Sequence, residues 1–328
     1  MKYFVLGSNS FAGSTFVDEM LSQEEPVVGI SRSEQPNVVL RPYANNKNLK
    51  NFSFYALDIN QDFDAIKQLI LKYKPQYVVD FAGQGMVAES WKNPEQWYLT
   101  NIVAKVKLHD FLRTCDFIDR YVRVSTPEVY GHSDQPMTEG QAFNPSTPYA
   151  VSHAAVDMSL MAFHKQYGFP VLFTRYANFY GPHQQLYRII PRTIIYSLLG
   201  KKLSLHGGGV AKRAFIYGTD VAQAIVATIQ RGKPGESYHF STGNCISIAD
   251  LVRQICQLMQ VNYEQFVAVA ADRPGKDVQY LMDTAKAQSV LQWHPEVNLA
   301  QGLQKTIDWV SKNIELIKKL PLGYIHKL

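Results

Sequence analysis

Met1-Lys2-Tyr3-Phe4-Val5-Leu6-Gly7-Ser8-Asn9-Ser10-Phe11-Ala12-Gly13 opens the chain, and its reading decides the fold. An apolar stretch ends on a glycine, a short polar turn comes next, and a second glycine enters a segment whose apolar residues recur at three and four. This is a buried strand handing over to a helix, where a pyrophosphate can rest against unpaired backbone N–H groups. Two glycines six apart are by themselves only a tight turn; the weight lies in their position and in the alternation of strands and helices downstream. After the first strand at 3–7, apolar stretches recur at 27–31, 52–57, 77–81, 120–125 and 171–175, with helix patterns at 13–22, 63–73, 94–115 and 148–167. Such alternation builds a doubly wound parallel sheet from βαβ units.

Beyond residue 175 the pattern loosens, with turn signals at Asn178-Phe179-Tyr180-Gly181-Pro182 and Gly207-Gly208-Gly209 around one helix near 190–199. Residues 213–231 return to strand-then-helix character, and helices near 248–259 and 299–312 close the chain. Residues 1–176 with about 213–240 are therefore expected to hold a dinucleotide. Residues 177–212 with 241–328 are expected to form a smaller, discontinuous substrate lobe.

Of the 328 residues 46% are hydrophobic and 19% charged, enough for a sizeable core. The net charge of +5 is spread along the chain, which gives no footprint for nucleic acid. Cys115, Cys245 and Cys256 are odd in number and lack paired spacing, which favours a reducing compartment. The first residues are too briefly apolar for a secretory segment, and no run approaches the roughly 18 apolar residues that span a bilayer. A cytoplasmic protein with no membrane partner is expected. The sequence holds no nucleophile elbow, phosphate loop or zinc helix, and its nine histidines do not gather at ligand spacing, so no metal is expected.

At the end of the second strand a NAD-selective site carries an acidic residue, which accepts from the adenosine ribose and repels a 2′-phosphate. Here the residues are Ser31-Arg32-Ser33. A guanidinium between two hydroxyls suits a phosphate, so NADP is the expected cofactor, with NAD as the alternative. The competing reading of Arg32 is a solvated loop arginine.

Three further segments carry a resemblance: Val124-Ser125-Thr126-Pro127-Glu128-Val129-Tyr130-Gly131, Ser146-Thr147-Pro148-Tyr149-Ala150-Val151-Ser152-His153 and Arg175-Tyr176-Ala177-Asn178-Phe179-Tyr180-Gly181-Pro182. In that order and spacing they resemble the extended short-chain dehydrogenase/reductase family. They look most like its nucleotide-sugar 4,6-dehydratases, which show Ser-Thr-Asp-Glu-Val-Tyr-Gly, a Tyr-x-x-x-Lys pair and Arg-x-x-Asn-x-Tyr-Gly-Pro. The similarity runs over almost the whole chain, taking in Asp58-Ile59, Phe81-Ala82-Gly83-Gln84 and Arg273-Pro274-Gly275. It implies a Rossmann-type sheet with a smaller C-terminal α/β substrate lobe, and a homodimer formed through the helices near 94–115 and 148–167.

Carried over by position, the resemblance implies that Gly7, Asn9, Ser10, Phe11, Gly13, Ser31, Arg32, Asp58, Ile59, Phe81, Ala82, Gly83, Tyr149 and His153 face the cofactor. A nucleoside-diphosphate sugar falls to Gln84, Ser125, Asn178, Arg188, Arg213 and Arg273, with Tyr187 and Arg192 as further neighbours. Thr126 would bond the sugar 4-hydroxyl, and Tyr149 would take its proton as the C4 hydride leaves. The resulting ketone acidifies C5, Glu128 removes that proton, the C6 hydroxyl departs as water and the hydride returns to C6. A 4-epimerase or a decarboxylase is the alternative, sharing Thr126 and Tyr149 but, for the epimerase, needing no C5 base from Glu128; a nucleotide-sugar-binding protein without turnover is the reading from another class.

Two departures bear on the chemistry. Pro127 replaces the family's Asp or Ser and offers no proton. His153 stands where the family has Lys, four residues after Tyr149 and on its helix face. An imidazole with its ordinary pKa of about 6.5 is mostly neutral at pH 7. The expectation is a ribose hydrogen bond from His153 with slower or pH-dependent turnover; the competing reading is a helix-packing histidine in a partly disabled site.

Overall fold

Strand β1 (Tyr3–Leu6) is buried along its whole length, with Tyr3 and Val5 in the core on one side of the sheet and Phe4 and Leu6 in the core on the other. That two-sided burial is why the parallel strands read as continuous apolar runs rather than as alternating ones. The computed structural model describes residues 2–133, 135–271 and 281–327. In it β2 (Val27–Ser31), β3 (Phe52–Ala56), β4 (Tyr77–Asp80), β5 (Arg120–Ser125) and β6 (Val171–Tyr176) all stand where apolar stretches mark them. The helices between them are α1 (Phe11–Ser22), α2 (Phe63–Tyr73), α3 (Val87–Ser90), α4 (Pro94–Tyr98), α5 (Ala104–Leu112) and α6 (Pro148–Tyr167). A π-helical segment, Leu99–Val103, joins α4 to α5.

Past β6 come β7 (Asn178–Tyr180), α7 (Ile189–Leu198), β8 (Leu203–His206), β9 (Lys212–Tyr217), α8 (Gly218–Arg231) and β10 (Ser237–Phe240). The chain continues through β11 (Cys245–Ser247), α9 (Ile248–Leu258), α10 (Tyr263–Phe266), β12 (Val267–Ala270), α11 (Ala285–Leu291) and α12 (Leu299–Ile317). The main sheet has seven parallel strands in the order β10-β6-β5-β4-β1-β2-β3. Sequence periodicity did not mark its seventh strand, β10. The strand of the returning segment, β9, pairs with β7 and β11 in a separate three-stranded sheet, so only α8 and β10 come back to the main sheet.

The helix carrying the chemistry, α6, is tightly delimited. Thr147 caps it by accepting from the Ala150 N–H at 3.1 Å, Pro148 takes the first helical position, and Gly168 stops it in a left-handed conformation. No helix among the described residues is long and apolar enough to cross a membrane.

Two buried histidines brace the sheet. His109 Nε2 meets the Tyr121 hydroxyl at 2.8 Å, and His239 Nε2 meets the Tyr130 hydroxyl at 2.9 Å. Burial pushes both rings down to about 3, so they are neutral in the folded chain, whereas the unfolded chain protonates them below about pH 6.5. Their contribution is complete above that pH and is lost as pH falls from there towards 3. Unfolding free energy should therefore drop by about 1.4 kcal/mol per pH unit for each ring across that window. Denaturant titrations at about pH 7 and about pH 5 check this, and H239Q should show the shallower slope.

Candidate active site

The turn after β1 is built to admit a dinucleotide. Gly7 has φ +77°, and a Cβ there would lie 2.7 Å from the Ala82 nitrogen, so the loops after β1 and β4 touch only because no side chain intervenes. Ser10 caps α1 by accepting from the Gly13 N–H at 3.0 Å. The first turn of α1 carries no acidic residue, which leaves its N-terminus open to an anion. Asn9 ties this turn to the end of β2: its N–H donates to Ser31 Oγ at 2.9 Å and its Nδ2 donates to the Ser33 carbonyl at 2.8 Å. Asn9 Oδ1 is buried without a partner among the described residues, an acceptor suited to a ribose hydroxyl. Residues and geometry thus fit a nicotinamide dinucleotide.

Other positions marked in the sequence vary in how they face this groove. Phe11 is buried, its ring 6.2 Å from that of Phe179 on β7. Asp58 accepts from the Asn60 N–H at 2.7 Å within its own turn, beside the half-buried Ile59. Arg32 is half-buried, and Ser33 accepts from Lys327 Nζ at 2.9 Å. Lys327 belongs to a segment after α12 that runs back across the mouth of the groove: Tyr324 meets Tyr187 edge-on, His326 stacks on Trp97, and the Lys327 carbonyl accepts from Gln84 Nε2 at 3.1 Å.

A cavity of about 610 Å3 opens at the carboxyl ends of β4, β5 and β6. It brings together Phe81, Ala82, Gly83 and Gln84 after β4, Ser125, Thr126 and Glu128 at the end of β5, and Tyr149 and His153 on α6. From the segments after β6 it gathers Asn178, Arg188 and Arg213, with Tyr187 and Arg192. Arg273 lies outside the described residues. The Thr126 hydroxyl caps a 3₁₀ turn, Pro127–Tyr130, by accepting from the Glu128 N–H at 3.3 Å. Pro127 fills the first position of that turn, where no N–H is required. Burial, with the nearby Glu128, holds the Tyr149 phenol above its ordinary value; Thr126, Arg188 and Arg123 pull against that shift without reversing it.

The sequence pattern that defines the GDP-mannose 4,6 dehydratase family matches residues 4–306. The chain belongs to this family. A dTDP-glucose 4,6-dehydratase of Haemophilus influenzae is 30% identical over 334 residues, covering 94% of this chain and 97% of that protein. DesIV, a dTDP-glucose 4,6-dehydratase of Streptomyces venezuelae solved with NAD bound, is similar over 96% of this chain and 98% of its own, with TM-score 0.86 and 28% identity. A UDP-glucose 4-epimerase of Thermotoga maritima solved with UDP-glucose has TM-score 0.86 and 25% identity, covering 96% and 100%. The expected α/β fold and family are thereby established.

Beneath the cavity lies a charge network that motif reading missed. Asp80 at the end of β4 accepts from Lys105 Nζ and, at 2.7 Å, from the Tyr121 hydroxyl. Arg123 on β5 spans Asp80 at 3.5 Å and Asp157 on α6 at 3.3 Å, and its Nη2 lies 3.0 Å from His153 Nδ1. Asp157 also accepts from Arg175 Nη2 at 2.7 Å and from Ser125 Oγ at 2.6 Å. Burial works to raise the Asp80 carboxyl, yet Lys105 and Arg123 hold it below the usual carboxylate range; burial brings Lys105 down to about 8 against the pull of Asp80. The signal was present, because an arginine inside a strand read as buried must have buried partners. Asn101, in the π segment, was also missed: its Oδ1 accepts from the Gln84 N–H at 2.8 Å and its Nδ2 donates to Ser152 Oγ at 3.0 Å. It joins the loop after β4 to α6. Lys105→Met strands part of the Asp80 charge in the core and should lower unfolding free energy by about 3–5 kcal/mol, as read by urea denaturation at neutral pH.

Proposed function

We propose that this chain removes water across C5 and C6 of a nucleoside-diphosphate hexose after transient oxidation at C4, working in a crevice between a dinucleotide-holding lobe and a substrate lobe. The reading rests on one observation: Thr126, Glu128 and Tyr149 face a single cavity. Tyr149 takes the proton of the 4-hydroxyl, which Thr126 holds in place. Arg188 and Arg123 favour the phenolate that results. A bound nicotinamide ring supplies the acceptor for the C4 hydride and returns it within the same cycle. Once C4 is a ketone, the Glu128 carboxylate removes the C5 proton. With Pro127 unable to donate, the same glutamic acid protonates the departing C6 hydroxyl, and as the hydride adds to C6 a proton is returned to C5, balanced by the one Tyr149 took from the 4-hydroxyl.

Asn178 on β7 and Arg213 on the adjacent β9 line the cavity with Arg188. A diphosphate needs charge-assisted donors of this kind. The H. influenzae and S. venezuelae relatives support a sugar nucleotide as substrate. A homodimer through the helices near 94–115 and 148–167 is supported by Leu99 and Val103 on the π segment between α4 and α5 and by Met158 on α6, each more than half exposed. The S. venezuelae relative was solved with NAD, and NAD is the cofactor we infer in the first place. At the end of β2 Arg32 takes the place of an acidic residue and the next residue, Ser33, accepts from Lys327 Nζ, a local excess of basic side chains that favours the 2′-phosphate of NADP.

Incubation with a panel of nucleotide hexoses, followed by mass spectrometry, should show loss of one water. Tyr149→Phe should reduce turnover by about 10²-fold or more. Glu128→Gln should retain C4 oxidation and accumulate reduced cofactor, visible by absorbance, without loss of water. An inverted hexose or a pentose as product would identify an epimerase or a decarboxylase instead. For the cofactor, tighter binding of NADP that Arg32→Ala abolishes supports the phosphate clamp; tighter NAD binding with Arg32→Ala neutral removes it.

A further inference from the structure

We infer that Arg123 is a positioning residue that replaces, from strand β5, the cation missing on helix α6. Its guanidinium fixes His153 as the neutral ring protonated on Nε2, which leaves a donor for the cofactor ribose, and it sets a permanent positive charge behind the Tyr149 phenol. The inference rests on the dehydratase reading above.

The tautomer follows from the partners. A guanidinium has five N–H donors, no acceptor, and does not deprotonate in proteins. At 3.0 Å from Arg123 Nη2, His153 Nδ1 can therefore only accept, and the ring hydrogen sits on Nε2. The residue lines the cavity, and its ring lies 4.5 Å from that of Tyr149. Arg123 is itself held from two sides by Asp80 and Asp157. Asp157 follows His153 by four residues, as His153 follows Tyr149, so the three form one face of α6 with the guanidinium laid along it.

The charge follows from the composition of the network. Lys105, Arg123 and Arg175 are each at most 1% exposed and, among the described residues, face two equally buried carboxylates, Asp80 and Asp157. One positive charge is left over beneath the cavity floor, and in a medium that screens weakly it favours a phenolate nearby. The groups facing His153 are Arg123 from β5, Lys105 from α5 and Arg175 from β6; burial and these three cations hold its pKa well below the ordinary value. Turnover should then lack the limb near pH 6.5 that a solvated imidazole would give.

The test combines a spectroscopic and a kinetic readout on the cofactor-loaded protein. Nitrogen-15 NMR of labelled histidine, with His153 assigned by its loss in His153→Asn, should show one protonated and one bare ring nitrogen from about pH 5.5 to about pH 8.5, with Nε2 protonated. Arg123→Met should lower kcat at least about tenfold and introduce a pH dependence near the ordinary histidine value. The double variant R123M/H153K, which returns a cation to the helix, should recover turnover and lose that pH dependence. An Nδ1-protonated or doubly protonated His153 at neutral pH overturns the inference, as does wild-type kcat and pH profile in R123M. Should R123M not fold, the tautomer of the wild-type ring decides. If no nucleotide hexose is turned over, the dehydratase reading fails while the tautomer result stands on its own.

Discussion

A guanidinium buried in the middle of a parallel sheet is the constraint around which this molecule is arranged. Arg123 can stay there only because Asp80 meets it from the neighbouring strand and Asp157 from the helix above. An ion taken out of water costs several kcal/mol unless its partners are placed well and their remaining lone pairs are filled. Lys105, Tyr121, Ser125 and Arg175 do that filling. The network therefore joins β4, β5, β6, α5 and α6, the elements that frame the cavity. Such pairs add little net stability over an apolar core, but they penalise any shift of α6 along the sheet.

The two departures from the family pattern take on structural sense in this setting. Pro127 begins a 3₁₀ turn that Thr126 caps, so the loss of a side-chain acid comes with a rigid mount for Glu128. His153 lacks the length and charge of lysine, yet it faces an arginine no motif includes. The Tyr-x-x-x-Lys pattern describes a phenol with a cation nearby; the chain meets that physical requirement with a cation drawn from another element of the fold.

Much of the architecture was legible because strands buried on both faces leave an unmistakable record. The six apolar stretches from residue 3 to residue 175 coincide with β1 to β6, and the helices between them follow the three-and-four spacing. What stayed hidden depends on partners far away in the chain. Ser237–Phe240 is too short and mixed to be recognised until it pairs with β6, and Lys212–Tyr217 gives no sign that its neighbours are β7 and β11. The site shows the same divide: Thr126, Glu128 and Tyr149 lie in motifs and meet in the cavity, whereas Asp80, Asn101 and Arg123 matter through contacts that local spacing does not encode. The segment carrying Lys327, which reaches Ser33 across the whole length of the chain, lies beyond any periodicity argument.

The π-helical turn at Leu99–Val103 has a consequence for how this region can change. Each residue of an α-helix advances by about 100°, so a turn holding one residue too many sets α4 and α5 out of phase by that amount. Asn101 sits at the point of mismatch, with both ends of its amide engaged. Deleting one residue there would repair the helix and rotate everything on its N-terminal side, Trp97 included, away from the stack with His326. The irregularity is therefore locked in by its neighbours: insertions and deletions, which drift freely in surface loops, are barred from a helix that by hydrogen bonding alone would welcome them.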